Sequence, residues 1–202
     1  MSRLYLVRHG QTQFNLQHRV QGRCDSPLTE RGLEQAHRAA RWLSGHGVAP
    51  GAVYSSPLGR AFRTAEVLRD DLIADGFAVP LDIEAVEGLQ ERSYGPFEGG
   101  PASEVPADLW DPGETLVPYG GEGSCALRAR AVSTLTDIMR GSRAQTVLAV
   151  SHGSITLQFK LAWAHTARCP QDVPLGNCCI LVFEFDERTG EFSNLEIANQ
   201  EP

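Results

Sequence analysis

Apolar and polar positions change period several times along the chain, and the changes mark out its elements. Arg3 to Val7 reads as a first strand, because Leu4, Tyr5, Leu6 and Val7 are an unbroken apolar run of the kind covered on both faces. A polar loop runs from His9 to Leu28. Thr29 is placed to cap a helix, with Glu30 in its first turn, and Leu33, Ala36, Ala40 and Leu43 supply the helical stripe. Gly45, Gly47 and Pro50 end it. Ala52 to Ser55 reads as a short second strand. Ser56 and Pro57 read as the cap and first-turn proline of another helix, whose inner face is Ala61, Ala65, Leu68 and Leu72.

Val79 to Ile83 reads as a third strand. From about 84 to 123 no period is visible, and prolines, glycines and acids dominate. A stretch of this length in a compact domain reads as a lid or binding loop, although plain surface wrapping leaves the same trace. Ser124 then opens a helix with Leu127, Val132, Leu135 and Met139 inward. Thr146 to Val150 is an apolar strand, Ser154 to Ala164 a helix, and Cys178 to Phe185 with Glu191 to Ile197 a closing pair of strands. Helices alternate with continuously apolar strands, which predicts a three-layer α/β/α sandwich around a mostly parallel sheet. The expected organisation is a single domain over 1–202 with a lid-like insertion at about 84–123.

Composition narrows the possibilities. A length of 202 residues suits one domain with a substantial core. Net charge is −7, so no basic field invites nucleic acid or an anionic membrane, and neither is expected as a partner. Lys160 is the only lysine, and the other cations are arginines, which suit bidentate phosphate recognition but also follow from codon bias. Five cysteines without a CxxC pair argue against a disulfide framework or a zinc site. With no secretory signal and no long apolar segment read at the amino terminus or beyond, the expected location is the cytoplasm.

The chemistry gathers at strand ends. LYLV runs into Arg8 and His9, and VLAV runs into Ser151 and His152. Ligands of open α/β sheets bind beyond the carboxyl ends of the strands, so neighbouring strands would set His9 and His152 across one pocket. SSPLGR, Ser55 to Arg60, adds a third strand end, with Arg60 in the first turns of a helix, a natural anion site. Neither a P-loop pattern nor GxGxxG occurs.

RHGQTQFN (Arg8 to Asn15), QGRCDSPLTERG (Gln21 to Gly32), SSPLGRAFRTAE (Ser55 to Glu66), LQERSYGPFEG (Leu89 to Gly99) and SHG (Ser151 to Gly153) together resemble, in order and spacing, the histidine phosphatase superfamily, which contains the cofactor-dependent phosphoglycerate mutases. The resemblance implies a phosphoglycerate mutase-like fold and His9 as the nucleophile that attacks phosphorus, a role open to a neutral imidazole near pH 7. It implies Arg8, Arg60 and His152 as the phosphate clamp, with His152 protonated once phosphate is bound. Asn15, Gln21, Gly22 and the Gly153 N–H join as substrate contacts, and Glu91 is the acid that protonates the leaving oxygen. No metal and no cofactor are implied, because arginines supply the positive charge; a metal site built from His9 and His152 is the rival. Two departures stand out. Gln11 stands where many relatives carry glutamate, and GGEGS, Gly120 to Ser124, is spaced one residue differently from the GES of mutase-like relatives, which keeps Glu122 outside the expected catalytic set.

The expected function is a phosphomonoester hydrolase acting through phosphohistidine on a small phosphorylated metabolite. A cofactor-dependent phosphoglycerate mutase is the alternative, and a non-catalytic phosphate-binding regulator the second. The short stretch between GPFEG and GGEGS favours the hydrolase, because mutase-like relatives carry a longer insertion there. Tyr94, Phe97, Trp110 and Tyr119 either pack on the organic moiety or close a small core. Arg19, Gln21 and Arg23 are candidates to flank the entrance, and an exposed sheet edge admits a homodimer.

Overall fold

The computed structural model describes residues 1–200; the last two residues of the expected 1–202 domain lie outside the described residues. The elements are β1 (Ser2–Arg8), α1 (Gln13–Leu16), α2 (Glu30–Gly45), β2 (Ala52–Ser55), α3 (Gly59–Ala74), β3 (Glu84–Ala85), α4 (Ser124–Gly141), β4 (Thr146–Ser151), α5 (Gly153–Ala162), β5 (Ile180–Asp186) and β6 (Glu191–Ala198). The strands form one sheet in the order β3-β2-β4-β1-β5-β6. β1 to β4 are mutually parallel, while β5 runs antiparallel to β1 and β6 antiparallel to β5.

The apolar runs are continuous because both faces of the sheet are covered. Leu4, Leu6, Val147, Ala149, Leu181 and Phe183 point to one side, where they meet Leu127, Leu135 and Met139 of α4 and Ile155 and Phe159 of α5. Tyr5, Val7, Leu148, Val150, Ile180 and Val182 point to the other, against Ala36, Ala40 and Leu43 of α2 and Ala61, Ala65, Leu68 and Leu72 of α3. Each fully buried leucine or phenylalanine here contributes about 1.5–3 kcal/mol. The result is the expected three-layer α/β/α sandwich.

The topology creates the crevice that the site uses. β1 and β4 are adjacent, with Arg8 level with Ser151. The chain leaves β1 toward α2 on one face and leaves β4 into α5 on the other. Connections that part company at neighbouring strand ends open a groove at a topological switch point.

Several boundaries differ from the sequence expectation, each for a local reason. Val79–Ile83 is not a strand; Pro80 lacks an N–H for a ladder, and the edge strand forms instead at Glu84–Ala85, paired with Tyr54 and Ser55. α3 begins at Gly59, not at Ser56, because Leu58 is still extended at φ −67°, ψ 131°; the Ser56 oxygen accepts from the Leu58 N–H at 3.3 Å and also meets His152. Asp25 reaches the Arg60 N–H at that helix start from a distant loop. α5 opens one residue early, at Gly153, and ends at Ala162 before a short 3₁₀ turn. Cys178 has φ +54°, which delays β5 to Ile180. On α4, Ala131 and Ile138 are buried, and Val132 only partly.

Residues 84–123 are ordered as β3 and a series of 3₁₀ turns. They carry a small core of their own, in which Tyr94, Val105 and Leu116 pack with Val20 from the first loop. None of the five cysteines is in a disulfide. No helix among the described residues is long and apolar enough to cross a membrane.

Candidate active site

His9 and His152 leave adjacent strand ends, tied by the His9 N–H donating to the Ser151 carbonyl at 2.9 Å. Their rings meet edge-on with centroids 5.2 Å apart. The His9 Nδ1 lies 2.7 Å from the Gly10 carbonyl oxygen. A carbonyl can only accept, so Nδ1 carries the proton and Nε2 keeps its lone pair. Burial, then the charges of Arg60 and Arg8, hold the His9 pKa well below its usual value, so the ring is neutral at pH 7. The same applies to His152, for which burial, Arg60, His9 and Arg8 are the main causes. The His152 Nε2 sits 2.7 Å from the Ser56 hydroxyl.

Two arginines flank the histidines. Arg60 is 1% exposed, and its guanidinium donates to the carbonyls of Cys24 (2.9 Å) and Gly22 (2.6 Å) and to Asp25 at 3.0 Å. Arg8 donates to the Leu175 carbonyl at 2.8 Å, and its guanidinium carbon lies 4.7 Å from the centroid of the Trp110 ring. The Nε atoms of both arginines and Nδ1 of His152 are buried with no protein partner. Buried donors left unpaired cost about 1–3 kcal/mol each, and an oxyanion in the cavity would satisfy the two arginine Nε–H groups.

Glu91 enters from the 84–123 excursion. Its carboxylate accepts from the N–H groups of Ser154 (3.0 Å), Ile155 (3.1 Å) and Arg92 (2.9 Å), the first two at the start of α5. Each of these contacts is a backbone N–H donated to the carboxyl, which fixes Glu91 at the amino terminus of α5.

One cavity of about 110 Å³ unites these groups. Of the residues singled out in the sequence, Arg8, His9, Asn15, Gln21, Gly22, Arg60, Glu91 and Gly153 line it. His152 does not; it is fully buried and reaches the site through its contact with the His9 ring. Asn15 spends its side-chain oxygen on the Thr12 N–H in a capping box, which leaves its NH₂ for the cavity. Of the four candidate aromatic residues, Tyr94 and Trp110 line the cavity, whereas Phe97 and Tyr119 pair with each other at 5.3 Å. Arg19 is at the mouth, and Arg23 is not among the lining residues. Ser154 and Leu109, which also line the cavity, had no signal of their own in the sequence, and Ser56 read only as a helix cap. No group of three or more His, Cys, Asp or Glu suited to a metal ion occurs among the described residues.

A buried imidazole with a free Nε2, two arginines and a carboxylate define a site built to bind an oxyanion against a nitrogen nucleophile. Comparison with known proteins agrees: residues 4–198 match the model of the histidine phosphatase superfamily (branch 1), and the chain belongs to that family. It is similar to the probable phosphoglycerate mutase GpmB of Salmonella paratyphi A, 32% identical over 93% of this chain and 86% of that protein. Among solved structures it resembles Bacillus stearothermophilus YhfR, with 30% identity, a TM-score of 0.80 and coverage of 98% of this chain and 96% of that one. It also resembles a phosphoserine phosphatase from Entamoeba histolytica, solved with 3-phosphoglyceric acid, with 27% identity, a TM-score of 0.75 and 98% of each chain covered. The protein is therefore an enzyme of the phosphoglycerate mutase family.

Proposed function

We propose that this enzyme hydrolyses the phosphomonoester of a small phosphorylated metabolite through a phosphohistidine at His9. The observation that carries this reading is the His9 tautomer: Nδ1–H is anchored on Gly10, so the lone pair at Nε2 belongs to the cavity that Arg8 and Arg60 line. In the first half-reaction Nε2 forms a bond to phosphorus as the P–O bond to the alcohol breaks, and Glu91 gives the leaving oxygen its proton. In the second, ionised Glu91 takes a proton from water, whose oxygen displaces Nε2 and releases phosphate. Arg8, Arg60, Asn15 and the Gly153 N–H hold the phosphoryl oxygens, and His152 supports them from beside His9. The unpaired nitrogens of both arginines and of His152 support this assignment. Burial first and then the arginine charges hold His152 neutral; a dianion bound between the arginines offsets the second cause and so favours the imidazolium.

A cavity of about 110 Å³ suits a phosphoryl group with a compact alcohol, since sites for drug-sized ligands run to about 300–1,000 Å³. The second reading, a mutase, draws on the similarity to GpmB. A mutase must keep the phosphoenzyme dry until the phosphoryl group returns to substrate. One assay separates the two: incubation with 3-phosphoglycerate and a trace of 2,3-bisphosphoglycerate, then measurement of 2-phosphoglycerate and free phosphate. Free phosphate from a panel of phosphomonoesters is the expected result. Isomer without phosphate overturns it.

A further inference from the structure

Glu91 lies on a segment with little regular structure of its own: a 3₁₀ turn over Glu87–Leu89 and then extended chain. Yet its backbone is held at every residue. The Gly88 carbonyl accepts from Nη1 of Arg130 at 2.9 Å, the Gln90 carbonyl from the same nitrogen at 2.7 Å, and the Glu91 carbonyl from Nη2 at 3.3 Å. The Leu89 carbonyl accepts from the Ser151 hydroxyl at 2.7 Å. Four consecutive carbonyls are thus fixed by two side chains, one of them from the residue just before His152.

Arg130 has no donor to spare. Nε and Nη2 give the remaining bonds to the two oxygens of Glu122, at 2.9 and 2.6 Å, so all five N–H groups are used. Glu122 is attached to the same segment: its N–H donates to the Ser93 carbonyl at 2.7 Å, and its own carbonyl accepts from buried Arg92 at 2.7 Å. Burial raises the Glu122 pKa, but the hydrogen bonds and charge of Arg130 outweigh that and hold it below the usual carboxylate range. Gly88 lets the turn lie flat on α4, since a Cβ there would meet the Thr134 hydroxyl at 2.1 Å. Neither Arg130 nor Glu122 lines the cavity.

We infer that Arg130, oriented by Glu122, is a positioning residue that holds the Glu91 backbone so that its carboxyl stays on the start of α5 and faces the leaving oxygen. This rests on the acid–base reading of Glu91 proposed above. A lysine at position 130 keeps the charge but brings three donors to five acceptors, and cannot bridge Glu122 to three carbonyls. Misplacing a catalytic group by a fraction of an ångström to about 1 Å costs about 10- to 100-fold in rate.

The test is a double-mutant cycle of Arg130→Lys with Glu91→Gln, measured as kcat/KM on nitrophenyl phosphate and on an alkyl phosphate. Arg130→Lys should slow the alkyl ester about tenfold more than the nitrophenyl ester, which needs little acid assistance. In the Glu91→Gln background it should slow the alkyl ester less than twofold. A loss that multiplies in full there overturns the inference, because a merely structural arginine costs the same with or without the carboxyl it is said to aim. Glu91→Gln alone reports on the acid role: equal slowing of both esters refutes that role, and the coupling in the cycle still decides for or against the clamp. Should Arg130→Lys fold poorly, Glu122→Gln takes its place in the same cycle with the same outcomes.

Discussion

Gly22→Ala probes how tightly the loop after β1 is fitted to Arg60. Gly22 has φ +57°, and its carbonyl receives the Arg60 guanidinium. An alanine in the left-handed region costs about 1–2 kcal/mol. Its Cβ would also lie 2.4 Å from Oε1 of Glu98, so that carboxylate has to move. Glu98 accepts from the N–H groups of Cys24 (3.0 Å) and Tyr94 (2.9 Å) and so ties this loop to the segment after Glu91. Losing one such charge-assisted bond costs about 1.5–3 kcal/mol. Together the two effects give a destabilisation of about 3–5 kcal/mol. Urea unfolding of Gly22→Ala, Glu98→Ala and the double variant separates them. With Glu98 truncated, Gly22→Ala should cost only the backbone share of about 1–2 kcal/mol. The affinity for inorganic phosphate should fall in Gly22→Ala as Arg60 loses its seat. Equal cost in both backgrounds, or undiminished phosphate binding, would refute the reasoning.

Acid should loosen the fold through the two site histidines. Both are held neutral well below the usual histidine range in the folded protein. The unfolded chain therefore takes up two protons below about pH 6.5 that the folded one does not. Stability is level above that pH and falls beneath it, by up to about 2.7 kcal/mol per pH unit. Urea midpoints at pH 7.5, 6.5 and 5.5 read this out, and His152→Asn should halve the slope. Trp110→Ala removes the ring beside the Arg8 guanidinium. A cation–π contact of about 0.5–2 kcal/mol predicts a loss of about two- to thirtyfold in kcat/KM, mostly in KM, with Trp110→Phe retaining more than alanine. A kcat effect with unchanged KM would argue against it.

The sheet and its two histidines were legible because both lie on runs with one meaning. LYLV and VLAV are buried on both faces, and strands of that kind carry their own boundaries. What failed was set by distant partners. Ser56 looks like a helix cap, but Leu58 is still extended, and the Ser56 hydroxyl meets His152, far along the chain. Arg60 is held by Asp25, 35 residues away, while the nearby Glu66 bonds Arg63. Val79 to Ile83 has strand-forming residues on either side of Pro80 and no neighbour for its ladder. Gln11, a departure from the family pattern, accepts the Thr29 hydroxyl away from the cavity lining and carries no charge the site needs. Glu122, whose role the altered spacing left open, pairs with Arg130. That pair is only eight residues apart, but the grip of Arg130 on the Glu91 segment spans 39 to 42 residues, which no local pattern announces.

The account stands on phosphorus passing through His9. The most direct measurement is to mix enzyme with a fast phosphomonoester, quench in alkali, map the labelled peptide and identify the linkage by phosphorus NMR. Phosphate bonded to Nε2 of His9, formed and consumed at the rate of turnover and missing in an inactive His9→Ala, is the predicted result. Label on another residue, attachment through Nδ1, or turnover that persists without His9 would contradict it.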